Sequence, residues 1–297
     1  MVEVTYTREQ RLRQVQNYIL RMPNLSTTVT KVLEICNNPK ASPNDLNRVI
    51  SLDPVLTGKV LTLINSAYYG LPKRVTSLTR AIIMLGLNTV RNLALSTAVL
   101  ETFGRKESFP ALSMEAFWAH SLCVGVAAKA LAVTKGVSVT EREEYFVAGL
   151  LHDLGKIPLN FCFPKEYVQV LDLTRTDKHT LYQCENEILD VDHCAVGEMI
   201  AGKWHLGESM NDSLAHHHNL EEASDKNRDL IAVVALANTF ANTFETGFGE
   251  APFPEDPLLN DLLDQVGVNW HALSGLGETL MNEIEKAKVF LQFTQKG

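Results

Sequence analysis

The five cysteines of this 297-residue chain (Cys36, Cys123, Cys162, Cys184 and Cys194) are scattered, and no two have C-x-x-C spacing. That excludes a zinc-cysteine ribbon or a disulfide framework and fits reduced thiols. A basic excess is also missing: 27 Lys and Arg face 35 Asp and Glu, for a formal charge of -8. Phosphate backbones need a basic surface, so nucleic acid is not expected as a partner. The first residues, MVEVTYTREQRLRQVQ, hold no apolar run of the kind a signal peptide needs. No apolar stretch is read as approaching the roughly 18 residues that span a bilayer. A cytoplasmic chain without a membrane partner is the resulting expectation. Strand-type alternation, hairpin turns, internal repeats and low-complexity segments are absent as well.

What is present is helical. At 45% hydrophobic and 21% charged residues the chain can bury a real core, as one large or two small domains. Residues 10–20 are amphipathic and end at Pro23. Leu25-Ser26 opens a second helix, and Ser42 (with Pro43 and Asp45), Asp53 (with Pro54), Ser77 and Asn88 are predicted to cap the short helices after it, the last running to Gly104. Ser113 opens a helix containing His120. Thr140 and Glu143 form a capping-box pattern ahead of the helix that ends in His152-Asp153. Later helices cover residues 194–204, a short stretch ending in His216-His217-His218, residues 228–244, and a last one carrying Leu280, Ile284 and Phe290. The expected organisation is an N-terminal bundle over 1–105, a second helical unit over 106–245 and a C-terminal piece over 246–297. Residues 105–110 form a polar linker, and residues 251–257 a proline-rich loop.

The chemistry concentrates in histidine. His120, His152, Asp153, His193, His217 and His218 each lie on or beside a predicted apolar helix. Imidazole and carboxylate suit zinc, iron, manganese or nickel. Helices packed side by side can aim such ligands into one cleft, with room for one or two ions. An adjacent His-Asp pair diverges by about 100° in mid-helix but can converge at a helix end beside Gly155. Lys156 just beyond is placed to hold a phosphate or a carboxylate. Single histidines are ordinarily surface or satisfied core residues, and His179, His205 and His271 are read that way. The His152-Asp153 pair alone also suits a cap or an ion pair, and the triple histidine a polar helix end. Asn238 shares the apolar face of Ile231, Val234 and Ala235. It therefore needs a partner, either on a neighbouring helix or among the histidines.

The order His120, His152-Asp153, His193, His217-His218 resembles the HD superfamily of metal-dependent phosphohydrolases. The extra histidines resemble those of its binuclear HD-GYP branch. Two departures stand out: the last ligand position of the family falls on Asn238, not an aspartate, and Asn219-Leu220-Glu221 follows where Gly-Tyr-Pro is expected. The segments Arg21-Met22-Pro23-Asn24-Leu25-Ser26, Asp53-Pro54-Val55-Leu56-Thr57, Asn65-Ser66-Ala67-Tyr68-Tyr69-Gly70 and Met84-Leu85-Gly86 are similar to the successive motifs of the HDOD domain, over residues 19–223. That resemblance implies an all-α fold, an N-terminal bundle packed on an HD-like unit. It also implies a signalling output module pairing with other signalling proteins in trans. The alternative it leaves open is a metal-dependent phosphohydrolase of low activity, with Asp153 and Lys156 as catalytic candidates.

Overall fold

A computed structural model describes residues 6–38, 40–103, 111–176, 179–245, 257–275 and 277–293. The proposed linker at 105–110 and all but Pro257 of the proline-rich loop lie outside them. Among the described residues the fold is all-α, without a strand. Helix α1 (Arg8–Arg21) is followed by α2 (Thr27–Cys36), α3 (Pro43–Ile50), α4 (Pro54–Ile64), α5 (Leu78–Leu85) and α6 (Leu87–Phe103). The expected caps at Ser42, Asp53 and Ser77 all bond the first turn of their helices, and Ser26, at the expected opening of α2, does the same. Asn65 pins the loop after α4, donating to Val75 O (2.8 Å) and accepting from Val75 N (2.7 Å). Asn88 does not cap: α6 begins at Leu87, directly after the Gly86 turn, which places Asn88 inside the first turn.

The second half begins with α7 (Met114–Thr134), which packs along α8 (Arg142–Leu151) and α14 (Arg228–Glu245). By length and composition α7 could cross a membrane, contrary to the sequence expectation, yet 72% of its apolar window is buried in the bundle. It is the core helix, and His120 sits on it. At the α7–α8 crossing a Cβ on Gly149 would lie 2.9 Å from Gly125 Cα, so only glycines permit this approach. Then come α9 (Lys156–Cys162), α10 (Pro164–Thr176), α11 (Leu181–Leu189), α12 (His193–Trp204) and α13 (Glu208–His216). The sequence reading leaves α9 to α11 unassigned. Helices α15 (Pro257–Val266), α16 (Trp270–Gly275) and α17 (Gly277–Ala287) and a 3₁₀ turn (Lys288–Phe293) complete the chain.

Two contacts set the frame around the histidines. First, α1 packs against α9 and α12. Lys203 on α12 donates to Ile19 O (2.6 Å) and Met22 O (2.7 Å), and Trp204 to Pro23 O (3.2 Å). Second, the capping box expected at Thr140 does not form: Glu141 occupies the N-cap of α8 without a side-chain bond to the first turn. Glu143 turns inward, 2% exposed. It accepts the Tyr69 hydroxyl (2.6 Å) and pairs with Lys129 on α7 (2.7 Å), whose ammonium lies 4.4 Å from the Tyr68 ring centroid. A buried ion pair with a hydroxyl outcompetes an exposed cap, and it ties the Tyr68-Tyr69 turn of the N-terminal bundle to α7 and α8.

Glu143→Ala strands the Lys129 ammonium and is expected to cost about 3 kcal/mol, against less than about 0.5 kcal/mol for Glu141→Ala on the surface. Gly155 is the tightest of the described glycines, because a Cβ there would sit 1.9 Å from His193 O. Backbone would have to move, so Gly155→Ala is expected to lose about 3 kcal/mol or more. Urea unfolding of these variants checks both expectations.

Candidate metal centre

Three imidazoles of the cluster, those of His152, His193 and His217, are anchored through Nδ1. His152 follows the last residue of α8, and its Nδ1 donates to Gly149 O at 2.7 Å. His217 follows α13 in the same way, with Nδ1 donating to Ser213 O at 2.9 Å. His193 opens α12, and its Nδ1 meets Glu185 Oε2 at 2.5 Å. The same carboxylate accepts the His193 backbone N–H (2.8 Å) and the Tyr167 hydroxyl (2.8 Å). With Nδ1 held, each ring turns Nε2 inward. Ligating histidines are prepared in this way, because the outer bond fixes ring orientation and tautomer.

The inward nitrogens converge on Asp153. Its Oδ2 lies 3.3 Å from His152 Nε2 and 3.6 Å from His120 Nε2, and it also pairs with Lys156. Its Oδ1 lies 3.3 Å from His193 Nε2 and 3.7 Å from His217 Nε2. One carboxylate thus faces two groups of donors. Atoms of His120, His152 and Asp153 lie within 4.8 Å of one another, as do atoms of His193, His217 and His218. His218 is half-buried and stacked on Tyr182, with ring centroids 5.0 Å apart. All the residues singled out in the sequence are therefore gathered in one place. His179, His205 and His271 are exposed, in keeping with their reading as surface residues.

Burial sets the electrostatics. His152 and His193 are 0% exposed, Asp153 1% and His217 2%. Burial pushes the His152 imidazole down to about 4, with Asp153 opposing and His217 and His120 adding, so it is neutral and able to act as a ligand at neutral pH. Burial also pulls the Asp153 carboxyl upward, but His152 and Lys156 outweigh it and hold it well below the usual carboxylate range. Burial lowers His193, yet the Glu185 carboxylate wins and raises that ring well above its ordinary value. The Nε2 atoms of His193 and His217 face each other at 3.2 Å, a spacing that suits one shared proton.

Sequence reasoning passed over several members of the site. Glu185, from the unassigned α11, is fully buried and anchors His193; nothing in its local pattern sets it apart from a solvent-facing acid. Tyr167, Tyr182 and Cys194, whose Sγ lies 3.7 Å from His217 Nδ1, were also missed. Asn238 satisfies both of its sequence readings. It bonds a neighbouring helix, and the partner there is His120 Nε2, at 3.1 Å. Lys156 holds a carboxylate, that of Asp153.

The donor set fits a divalent ion. His152 Nε2 and Asp153 Oδ1 are buried without any hydrogen-bond partner, which is costly for polar groups unless something else binds them. Nitrogen and oxygen donors of this mixture favour zinc, iron, manganese or nickel over magnesium or calcium.

Comparison with known proteins agrees with this architecture. A protein of Treponema pallidum (strain Nichols) without an assigned function is 26% identical over 236 residues, 80% of this chain and 44% of its own length. The chain thus spans less than half of that relative. A crystal structure of an HDOD domain protein of unknown function from Geobacter sulfurreducens superposes with a TM-score of 0.73 at 26% identity, covering 94% of this chain and 98% of the other. The structure of a candidate phosphohydrolase from Shewanella amazonensis SB2B superposes with a TM-score of 0.69 over 95% and 98% of the two chains. At 20% identity it shows the fold alone. Residues 22–220, about two-thirds of the sequence, match the HDOD domain, and the chain belongs to that family.

Proposed function

We propose that this chain is a signal-transduction output module that acts through protein partners in trans, and that its HD-type cleft holds a divalent ion as part of the core. The observation that carries this reading is burial. The residues that would hold the ion, His152, Asp153, His193 and His217, are at most 2% exposed, and His218 is covered by Tyr182. A phosphoester substrate needs an open coordination position and a path to it. The described cavities of about 700 and 760 Å³ open elsewhere, around Asn65 and Arg74 and around Arg91 and Lys226.

An ion in this setting would supply a Lewis acid and a more acidic bound water. The second reading, a phosphohydrolase of low activity, is favoured by one feature: the Lys156 and His120 side chains are 12% and 11% exposed, leaving a narrow approach on their side of the cluster. There Lys156 would steady negative charge on a phosphoryl group, and Asp153 would hold the histidines in place. Asn238 weighs against this reading, because a neutral amide is a weaker ligand than a carboxylate.

Hydrolysis of bis(p-nitrophenyl) phosphate by zinc-, iron- or manganese-loaded protein, with and without Asn238→Asp, tests the choice. The module reading predicts no turnover above a His152→Ala control in either protein. A clear gain of turnover on Asn238→Asp would replace it with a decayed hydrolase.

A further inference from the structure

The two groups of donors around Asp153 are not equivalent. We propose that the cleft takes one divalent ion, in the half formed by His193, His217, His218 and Asp153 Oδ1. In the half formed by His120 and His152, the Lys156 ammonium stands where a second cation would sit. The inference rests on the metal-holding reading proposed above and specifies its occupancy.

Three observations close the half formed by His120 and His152. The Lys156 ammonium is paired with Asp153 Oδ2, the oxygen that faces His120 and His152. His120 Nε2 lies 3.1 Å from Asn238 Oδ1, which also accepts from Asn242 Nδ2 at 3.3 Å. The Asn242 bond turns the amide oxygen toward His120, and a carbonyl oxygen only accepts, so His120 Nε2 carries the hydrogen and has no lone pair for a metal. Charge points the same way: the Asn238 amide carries none, and Asp153 is already balanced by Lys156. Nothing there offsets the loss of a dication's hydration.

The other half has what this one lacks. Behind His193 stands the fully buried Glu185 carboxylate, whose bonds go to Tyr167 and His193 and to no lysine or arginine among the described residues. A carboxylate on the far side of a ligating imidazole makes it a stronger donor. Asp153 Oδ1, 1% exposed as a residue and without a hydrogen-bond partner, faces His193 and His217. His152 Nε2, also without a partner, borders this half as well: its ring is 4.9 Å from His217 and 5.7 Å from His120.

The test is zinc stoichiometry by mass spectrometry after loading and exhaustive dialysis, with circular dichroism to confirm that each variant is folded. The expected result is one zinc per chain in the wild type, retained in His120→Ala and lost in His193→Ala. The double variant Lys156→Met, Asn238→Asp should take a second ion. Two ions in the wild type, or equal loss in His120→Ala and His193→Ala, would overturn the inference while leaving metal binding intact. A folded wild type that holds no zinc, iron, manganese or nickel would overturn the metal reading and this inference together.

Discussion

The structure depends on a buried carboxylate. Removing Asp153 from water costs several kcal/mol unless the surroundings return that energy, and five helices contribute to doing so. His120 comes from α7, His152 from the end of α8, Lys156 from the start of α9, His193 from α12 and His217 from the end of α13. Each histidine anchored through Nδ1 has its orientation decided by an acceptor outside the cluster. The aim of the site is therefore set by the helix backbone and by Glu185 rather than by the cluster itself. The glycine crossing of α7 on α8 and the contact of Gly155 with the start of α12 bring those helices close enough for one carboxylate to reach the rings of His120, His152, His193 and His217.

Seen this way, the N-terminal bundle is more than an appendage. Helix α1 lies against α9 and α12, and the chain at its C-terminal end, from Ile19 to Pro23, receives backbone-directed bonds from Lys203 and Trp204. The Tyr68-Tyr69 turn grips Glu143 and Lys129, which sit on the same two helices as His152 and His120. The motif residues that mark the family in sequence thus act in packing: Asn65 closes a loop, Asp53 caps a helix, and Tyr69 satisfies a buried acid.

The parts legible in the sequence were those carried by local chemistry. Four helix starts follow from a side chain bonding its own first turn, and the His-Asp pair at a helix end announces itself by composition. Failures came where a distant partner competes with a local one. Glu143 fits a capping box until Tyr69 and Lys129 offer it a buried bond. Glu185 reads as a solvent-facing acid until α11 folds it under His193. The apolar content of α7, spread across a longer window than the eye takes as a run, was underestimated for the same reason that it is buried on nearly every side. Lys156 illustrates a middle case: its placement beside the site was readable, but its role as the counter-ion of Asp153 needed the fold.

The central claim is that the inward Nε2 atoms and Asp153 form a real binding site rather than a polar core. Crystals of zinc-loaded protein, measured on both sides of the zinc absorption edge, address it most directly. The account predicts an anomalous peak about 2.0–2.1 Å from His193 and His217 Nε2, with the Nδ1 bonds to Glu185 and Ser213 unchanged. A map without a peak among these rings, from protein that binds zinc elsewhere or not at all, would contradict it.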